Sequence, residues 1–403
     1  MSLTSVADAL AAMLDGVMPL EREIVGLRFA AGRTLAQSLD ARVANPPFDA
    51  SAMDGYAVIA ADCAQAGAKL DVIGESSAGR PFKGTVARGT AARIFTGAVV
   101  PAGADAVVIQ ENVSRQGSSV EICEPAARGQ NIRRKGQDFN VDDTLIAAGR
   151  RLTVRDIQLA AASGHAAVSV IRKPSVAILA TGDELAPVGG ELGEGQIYAS
   201  NCYGLAALVD AAGGAAKLLG IAADARDALA DALLDAEGAD ILLTIGGASV
   251  GDHDLVRPAL EAAGARLDFY KIAMRPGKPL FSGSRHVAGK TQRIVGLPGN
   301  PVSALVTARV FLAPLIARML DREADFLSLR AELAEPLAAN GPRTHYMRAV
   351  LDETVAPPRV RAMASQDSSL MRTLAEANAL IVAPPDAPAL PAGAIVDVLK
   401  LDF

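Results

Sequence analysis

Four apolar segments of the chain each run into a loop that is rich in glycine, proline or carboxylate side chains. The most informative loop follows the apolar residues 241–245 and has the sequence GGASVGDHD over 246–254. Similar transitions occur within 176–185, 266–279 and 293–301. Glycine at the end of a strand leaves backbone N–H groups free to face phosphate-like oxygens. The pattern therefore predicts a phosphate-binding site.

Side chains of both charge signs accompany the four loops. The carboxylates are Asp183, Glu184, Asp252 and Asp254, and the cations are Lys271, Arg275 and Lys278. Carboxylates alone would indicate a metal, and cations alone an anion. Their combination indicates a phosphate ester handled with a hard divalent ion such as Mg²⁺, which prefers oxygen ligands and bridges to substrate phosphates.

An alternation of strand and helix patterns over 172–322 must position these loops. Ala/Leu-rich segments at 200–214 and 224–238 predict helices between the apolar strands. Such βα units build a doubly wound sheet, and the loops after its parallel strands gather at one edge. We therefore expect the four loops to line one crevice.

The remaining segments complete a predicted multidomain architecture of α/β plus β type. A chain of 403 residues exceeds what one hydrophobic core usually organises. Short Val/Ile-rich runs predict a small all-β domain inserted at 45–140, between the two parts of a helical or linker domain at 1–44 and 141–171. Strand candidates between proline-rich turns predict a C-terminal β-barrel-like domain at 323–403.

Composition narrows the class of protein. The net charge of −6 and the pI of about 5.4 argue against a nucleic-acid backbone as the main partner. The three isolated cysteines fit neither a disulfide framework nor a zinc pattern, so we expect a reducing cytoplasm and three small buried thiols. No uninterrupted apolar run approaches the length of about 18 that spans a bilayer, and residues 1–23 predict an amphipathic helix in place of a signal peptide, so we expect a soluble protein.

Eight motifs occur in order between residues 45 and 382. They are NPPFDASAMDGYAV, FTGAVVPAGADAVV, GQNIRRKGQDF, TGDEL, TIGGASVGDHD, MRPGKP, GLPGNPVSAL and LAEANALIV. Together they resemble the molybdopterin molybdotransferase family, the molybdenum insertases that include a domain of gephyrin. A single glycine loop is common, but eight motifs in sequence are specific.

The resemblance implies an enzyme of molybdenum cofactor biosynthesis that inserts molybdate into adenylyl-molybdopterin and releases AMP. It implies that Mg²⁺ is required, and that the enzyme is an elongated homodimer of four-domain chains. The loop around Asp54 would then reach the crevice of the other subunit, so that the active site is shared. A molybdopterin adenylyltransferase and molybdoenzyme apoproteins are expected partners, whereas nucleic acid and membrane are not.

Matching motif positions imply a set of site residues in this chain. Catalytic roles fall on Asp54, Thr96, Asp138, Glu184, Asp224 and Asp254. Substrate-binding roles fall on Gly246, Gly247, Ser249, Gly251, Lys271, Arg275, Lys278, Pro298, Pro301 and Ser368. The implied Mg²⁺ ligands are Glu184, Asp252 and Asp254.

Several of these residues also have purely structural interpretations. Asp54 could be only a turn residue before Gly55, and Asp224 could be a helix N-cap. Acids in the glycine loop could satisfy local N–H groups, and the cations could be solvated surface charge. The basic cluster at 133–135 is assigned no role.

Two positions depart from the family pattern. Arg275 stands where many family members have lysine, and a planar bidentate group there replaces a point charge. Ser368 matches a family serine, but Asp367 and Ser369 beside it differ from the usual residues. Because of these departures, the sequence does not decide how Arg275 and Ser368 contact an anionic substrate.

Two other functions remain open from the sequence alone. A molybdopterin adenylyltransferase has a similar βα domain, although it has no use for the domains at 45–140 and 323–403. A non-catalytic scaffold of the gephyrin type is the second alternative, and the acids Asp54, Glu184 and Asp254 favour catalysis over it. Molybdate-dependent release of AMP separates these functions.

Overall fold

A computed structural model describes residues 3–247, 255–323 and 328–401. Its contacts divide the chain into two compact units. The larger unit comprises Met1–Glu23, Gly32–Ala36 and Val170–Phe403, and the smaller unit comprises Ile24–Ala31 and Gln37–Ser169.

The larger unit contains a six-stranded sheet with helices on both faces. Its strands lie in the order Ala215–Ala222, Ser175–Thr181, Ile241–Ile245, Lys290–Leu297, Pro279–Val287 and Arg266–Lys271. The first four strands are parallel, and the strand Pro279–Val287 is antiparallel to both of its neighbours. This arrangement confirms the predicted doubly wound α/β domain.

Alternate residues of the central strands pack into two hydrophobic cores, one on each face of the sheet. Ile178 packs in one core with Leu205 and Phe311, while its neighbour Leu179 packs in a second core with Leu229. Successive strand residues point to opposite sides of a sheet, so a strand buried on both faces is apolar throughout. The helices that cover the sheet are Asn201–Ala212, Arg226–Asp235, Val256–Ala262 and Pro301–Met319.

The N-terminal segment and the apolar segment 301–319 both form helices of the larger unit. The predicted N-terminal amphipathic helix is confirmed as Val6–Leu14, which buries Ala9 and Met13 and is capped by the Ser5 side chain. The helix Pro301–Met319 is long and apolar enough to cross a membrane, but 83% of an apolar 18-residue stretch of it is buried inside the protein. It is therefore a core helix of the α/β domain.

The C-terminal part of the larger unit is a closed five-stranded barrel, as predicted. Its strands lie in the order Thr344–Asp352, Arg359–Ala362, Ser328–Leu333, Ile395–Lys400 and Ala379–Ala383, and the last pairs with the first. A short strand, Met274–Arg275, pairs in parallel with residues 344–345. The helix Met371–Glu376 lies between two barrel strands in sequence.

The smaller unit is built on a mixed six-stranded sheet, which confirms the predicted all-β insertion. Its strands lie in the order Ala106–Ile109, Gly55–Val58, Thr90–Ile94, Lys69–Ser76, Ser119–Ile122 and Val113–Gln116. Two short pairs accompany it, Ala50–Ser51 with Ile132–Arg133 and Leu39–Asp40 with Thr144–Ile146. The helix Val154–Ala162 begins with a capping box formed by Thr153 and Asp156.

The cysteines are free thiols, but the expectation that all three are buried was wrong. Cys63 and Cys202 are buried, whereas Cys123 is exposed. Cys123 comes directly after the strand Ser119–Ile122, where the chain leaves the sheet and enters an exposed turn.

Candidate active site

Five strands of the larger unit end at the same edge of its sheet. Four are the parallel strands, which end at Thr181, Ala222, Ile245 and Leu297. The fifth, Arg266–Lys271, has the same direction because it is separated from them by one antiparallel strand. This edge brings together the loops that carry Glu184, Asp224, Gly246, Gly247, Lys271, Lys278, Pro298 and Pro301.

Gly246 and Gly247 form the start of the glycine loop. Gly246 has φ +89° and Gly247 φ +61°, a backbone region that residues with a Cβ rarely adopt. The Gly246 N–H donates to the Leu297 carbonyl at 3.1 Å, and so joins two of the strand ends. Four predicted residues of this loop, Ser249, Gly251, Asp252 and Asp254, lie outside the described residues.

Three carboxylates stand at the same edge and are exposed. The Asp224 N–H donates to Asp183 Oδ1 at 3.1 Å, so the loops after the first two strands are linked. The Glu184 carboxylate folds back over Gly182, where a Cβ atom would collide with it. The N-cap interpretation of Asp224 is wrong, because Ala225 is the N-cap of the next helix and no side chain caps that helix.

Three cations lie on the loop between the strands Arg266–Lys271 and Pro279–Val287. Lys271, Arg275 and Lys278 are exposed, and none of them forms an ion pair with another described residue. The Ile272 N–H donates to the Lys278 carbonyl at 3.1 Å and closes the loop. The three cations are therefore available to an anion.

The barrel strand beside Arg275 adds further positive charge. Arg275 pairs in register with His345, which is buried. Burial, together with the positive charges of Arg275, Arg343 and Arg348, lowers the pKa of His345 to about 4. His345 is therefore neutral at physiological pH, and the positive charge of this region comes from the arginines.

Ser368 is brought to the sheet edge by the loop that follows Leu297. The Asn300 side chain donates to Ser368 Oγ at 3.1 Å, and the Val302 N–H donates to the Ser368 carbonyl at 3.2 Å. The Asn201 side chain donates to the Gly299 carbonyl at 2.6 Å in the same loop. Sequence reasoning missed both asparagines, since an amide side chain in a turn carries no signal for a specific distant partner.

Arg348 is a second residue that sequence reasoning missed. It is 1% exposed, and its guanidinium donates to the carbonyls of Leu370 and Ser365 at 3.2 Å and of Asp367 at 2.9 Å. Burial lowers the pKa of Arg348. These three bonds fix the 365–370 loop that carries Ser368, and the sequence YMRAVL gave no sign of them because a strand arginine is usually a surface residue.

The unusual neighbours of Ser368 also have a local role. Asp367 Oδ1 accepts hydrogen bonds from the Ser369 N–H at 2.9 Å and from the Ser369 hydroxyl at 2.7 Å. These bonds, the N–H bond first, lower the pKa of Asp367. The Asp367–Ser369 turn thus stabilises the loop by bonds of its own.

In the smaller unit, Asp54 and Thr96 bind each other directly. Asp54 Oδ1 accepts the Thr96 N–H and the Thr96 hydroxyl, both at 2.7 Å. The backbone N–H of Thr96, then its hydroxyl, hold the pKa of Asp54 below its ordinary value. The carboxylate is therefore ionised, and its bonding partner lies 42 residues away along the chain, not in its own turn.

Asp138 lies in a groove of about 550 Å³ within the smaller unit. Its carboxylate accepts a hydrogen bond from the Asn45 side chain at 3.0 Å, and its N–H donates to the Asn45 carbonyl at 3.0 Å. Gly97, which follows Thr96, lines the same groove. The structure thus places two of the three predicted residues of this unit in direct contact and the third close to the same loop.

The doubly wound domain with charged loops at its strand ends, the all-β domain and the barrel define a multidomain protein of α/β plus β type. Three family models match the chain: the MoeA N-terminal region (domain I and II) over residues 4–164, a probable molybdopterin binding domain over 177–318, and the MoeA C-terminal region (domain IV) over 330–401. The chain belongs to the molybdopterin molybdenumtransferase family.

Individual relatives support the same assignment. The chain is 37% identical to the molybdopterin molybdenumtransferase of Nostoc sp., with 94% of this chain and 89% of that protein aligned. It is 38% identical to molybdopterin molybdenumtransferase 2 of Mycobacterium tuberculosis, with 94% of each aligned. A crystal structure of the molybdopterin biosynthesis MoeA protein of Pyrococcus horikoshii superposes with a TM-score of 0.84 at 29% identity and covers 100% of both chains.

Proposed function

We propose that this chain transfers molybdenum from molybdate to adenylyl-molybdopterin, with release of AMP. The observation that carries the proposal is the convergence of carboxylates, cations and glycine amides at one edge of the sheet in a member of a transferase family. A phosphate ester and an oxyanion need all three kinds of group, so this donor set fits both substrates.

The residues of the edge divide into two roles. Gly246 and Gly247 leave room for the phosphate of the adenylate at this strand end, as glycine does at strand-to-helix turns. Lys271, Arg275 and Lys278 hold the molybdate oxyanion and stabilise the negative charge that develops on the departing AMP.

Mg²⁺ fits the acidic side of this edge. Glu184 and Asp224 present exposed carboxylate oxygens at the same sheet edge as the glycine loop, and carboxylate oxygens are the donors that Mg²⁺ prefers. No three described His, Cys, Asp or Glu side chains are grouped closely enough to hold a metal alone. Mg²⁺ would therefore be held by Glu184 together with Asp252, Asp254 and substrate oxygens, and would neutralise phosphate charge there.

The smaller unit would contribute its residues to a homodimer with shared active sites. Phe48 is 39% exposed and Met53 is 48% exposed, both in the loop that leads to Asp54. Large apolar side chains beside a functional carboxylate favour burial against a protein partner. We infer that the Asp54–Thr96 pair of one protomer completes the sheet-edge site of the other, in a cytoplasmic enzyme that works after a molybdopterin adenylyltransferase.

The test is an assay of AMP release by the purified protein. Adenylyl-molybdopterin and Mg²⁺ are supplied with and without molybdate, and AMP is measured by chromatography. We expect molybdate to be required, and we expect Glu184→Gln to lower the rate by about a hundredfold. Formation of adenylyl-molybdopterin from molybdopterin and ATP, without molybdate-dependent AMP release, would assign the chain to the preceding reaction instead.

A further inference from the structure

The Arg93 guanidinium contacts two aromatic rings and two hydrogen-bond acceptors of the smaller unit. Its guanidinium lies 5.1 Å from the ring centroid of Tyr56 and 4.8 Å from that of Phe95. One terminal nitrogen donates to the Gly55 carbonyl at 3.1 Å, and the other donates to Gln110 Oε1 at 2.7 Å. A planar guanidinium can stack on rings and donate in its own plane at the same time, which an ammonium group cannot do.

Two of the residues that Arg93 contacts are chain neighbours of the Asp54–Thr96 pair. Gly55 directly follows Asp54, and Phe95 directly precedes Thr96. Arg93 therefore links the backbone on the Asp54 side of the pair to the backbone on the Thr96 side.

Two other features restrict the same turn. The Gln110 N–H donates to the Asp54 carbonyl at 3.0 Å, so Arg93 and Asp54 share Gln110 as a neighbour. Gly55 packs against the backbone of Val108 so closely that a Cβ atom there would collide with the Val108 carbonyl oxygen. The turn has one position in which all these contacts are made.

We propose that Arg93 is a positioning residue for Asp54 in the transfer reaction. It does not touch substrate; it holds the Asp54 carboxylate and Thr96 in one geometry through their chain neighbours. A site residue needs such support, because a small displacement of the reacting groups costs a large factor in rate. The inference rests on the catalytic role proposed for Asp54.

The charge of Arg93 gives a second, separable effect. Hydrogen bonds from Thr96 are the main reason for the lowered pKa of Asp54, and the positive charge of Arg93 adds to them. Removal of that charge raises the pKa of Asp54. The activity that depends on the Asp54 carboxylate should then be lost at a higher pH as the solution is acidified.

The experiment compares Arg93→Lys and Arg93→Ala with Arg88→Ala, a control in the same unit whose side chain is 82% exposed. Molybdate-dependent AMP release is measured as a function of substrate concentration and pH, and folding is checked by circular dichroism. We expect Arg93→Lys to lower kcat about tenfold to a hundredfold with little change in KM, because the charge stays and the planar contacts are lost. We expect Arg93→Ala also to move the acid limb of the pH profile upward, and Arg88→Ala to match the starting protein.

Asp54→Asn tests the role of Asp54 separately from the positioning role of Arg93. If Asp54→Asn is inactive while both Arg93 variants keep the kcat and acid limb of the starting protein, the positioning role is wrong and the role of Asp54 stands. If Asp54→Asn is fully active, both proposals are overturned. If Arg93→Ala fails to fold, Arg93→Lys decides, because it keeps the charge in a nearly equal volume.

Discussion

Gly246 lies so close to Thr181 that a Cβ atom on it would stand 2.7 Å from the Thr181 carbonyl oxygen. Real Cβ atoms do not approach backbone oxygens that closely, and the φ of +89° excludes most side chains in any case. The close approach of these two neighbouring strand ends therefore requires glycine at the point where the glycine loop begins.

We expect Gly246→Ala to destabilise the protein by about 1–3 kcal/mol, through backbone strain and the collision with Thr181. The same change should lower molybdate-dependent AMP release, because the loop must move to relieve the strain. Urea unfolding and the AMP assay measure the two effects. Gly238→Ala is the matched control, since no atom lies within 4 Å of the Cβ it would add; equal stability of the two variants would contradict the strain argument.

Arg348 gives a second prediction, which concerns the loop that carries Ser368. Arg348→Met should cost about 2–3 kcal/mol of unfolding free energy, because three carbonyls lose a charged donor in a buried place. The loss of order in the loop should also reduce AMP release. Arg372→Met is the control: the Arg372 side chain is 93% exposed and pairs with Glu376 four residues later, so its removal should change stability by less than about 0.5 kcal/mol.

The fold was largely predictable because it depends on patterns along the chain. Strands buried on both faces appear as nearly continuous apolar runs, as in Ile241–Ile245, where Thr244 is the one polar residue and a glycine follows the strand. Once the strands are parallel, topology alone brings their carboxyl ends to one edge. The positions of Glu184, Asp224 and Lys271 at that edge follow from this rule.

The parts that could not be predicted depend on contacts between distant residues. The Asp54–Thr96 bonds join residues 42 apart, and the Asn300–Ser368 bond joins residues 68 apart. Neither leaves a periodic signal. Arg348 was missed for a different reason, since its burial is explained only by the carbonyls of a loop that comes later in the sequence.

The buried carboxylate of Asp240 gives a pH-dependent prediction. Burial raises its pKa, but donors from Arg172 and Ser175 outweigh burial and lower the pKa to about 2. Arg172 donates to both of its oxygens, at 2.8 and 3.1 Å. The folded protein therefore binds this proton more weakly than the unfolded chain does, so the stabilisation is present above about pH 4 and is lost as the pH falls toward about 2.

We expect Asp240→Asn to lower the free energy of unfolding by about 2 kcal/mol at neutral pH. The difference from the starting protein should shrink as the pH falls below about 4. Urea unfolding over a pH series measures it. Asp231→Asn, on the exposed side of the helix Arg226–Asp235, is the control and should stay within about 0.5 kcal/mol at neutral pH. A pH-independent effect of Asp240→Asn would show that the charge is not its cause.

The three thiols should differ in reactivity. Cys123 is exposed, whereas burial raises the pKa of Cys63 to about 11 and also raises the pKa of Cys202. The thiolate is the reactive form, so both buried groups are protected by access and by ionisation. We expect a thiol reagent to label one cysteine of the native protein and all three in denaturant, and Cys123→Ser to remove the native labelling. Labelling of Cys63 or Cys202 in the native protein would contradict the burial of these two thiols.

The proposed sharing of the active site between protomers leads to a complementation experiment with Asp54→Asn and Glu184→Gln. Each variant alone should release AMP about a hundredfold more slowly, since every site of the proposed homodimer carries the substitution. A heterodimer of the two, purified through different tags, should have about half the activity of the unmodified dimer, because one site receives both substitutions and the other receives none.

A site formed within one subunit would leave the heterodimer without this activity. If Asp54 and Glu184 served a site within one subunit, each site of the heterodimer would carry one substitution, and the heterodimer would be as inactive as its parents. An Asp54→Asn dimer prepared with the same two tags controls for the tags and the exchange procedure. Activity in the heterodimer alone therefore requires that residues from two protomers meet in one site, and sedimentation of each variant confirms that all three samples are dimers of the same size.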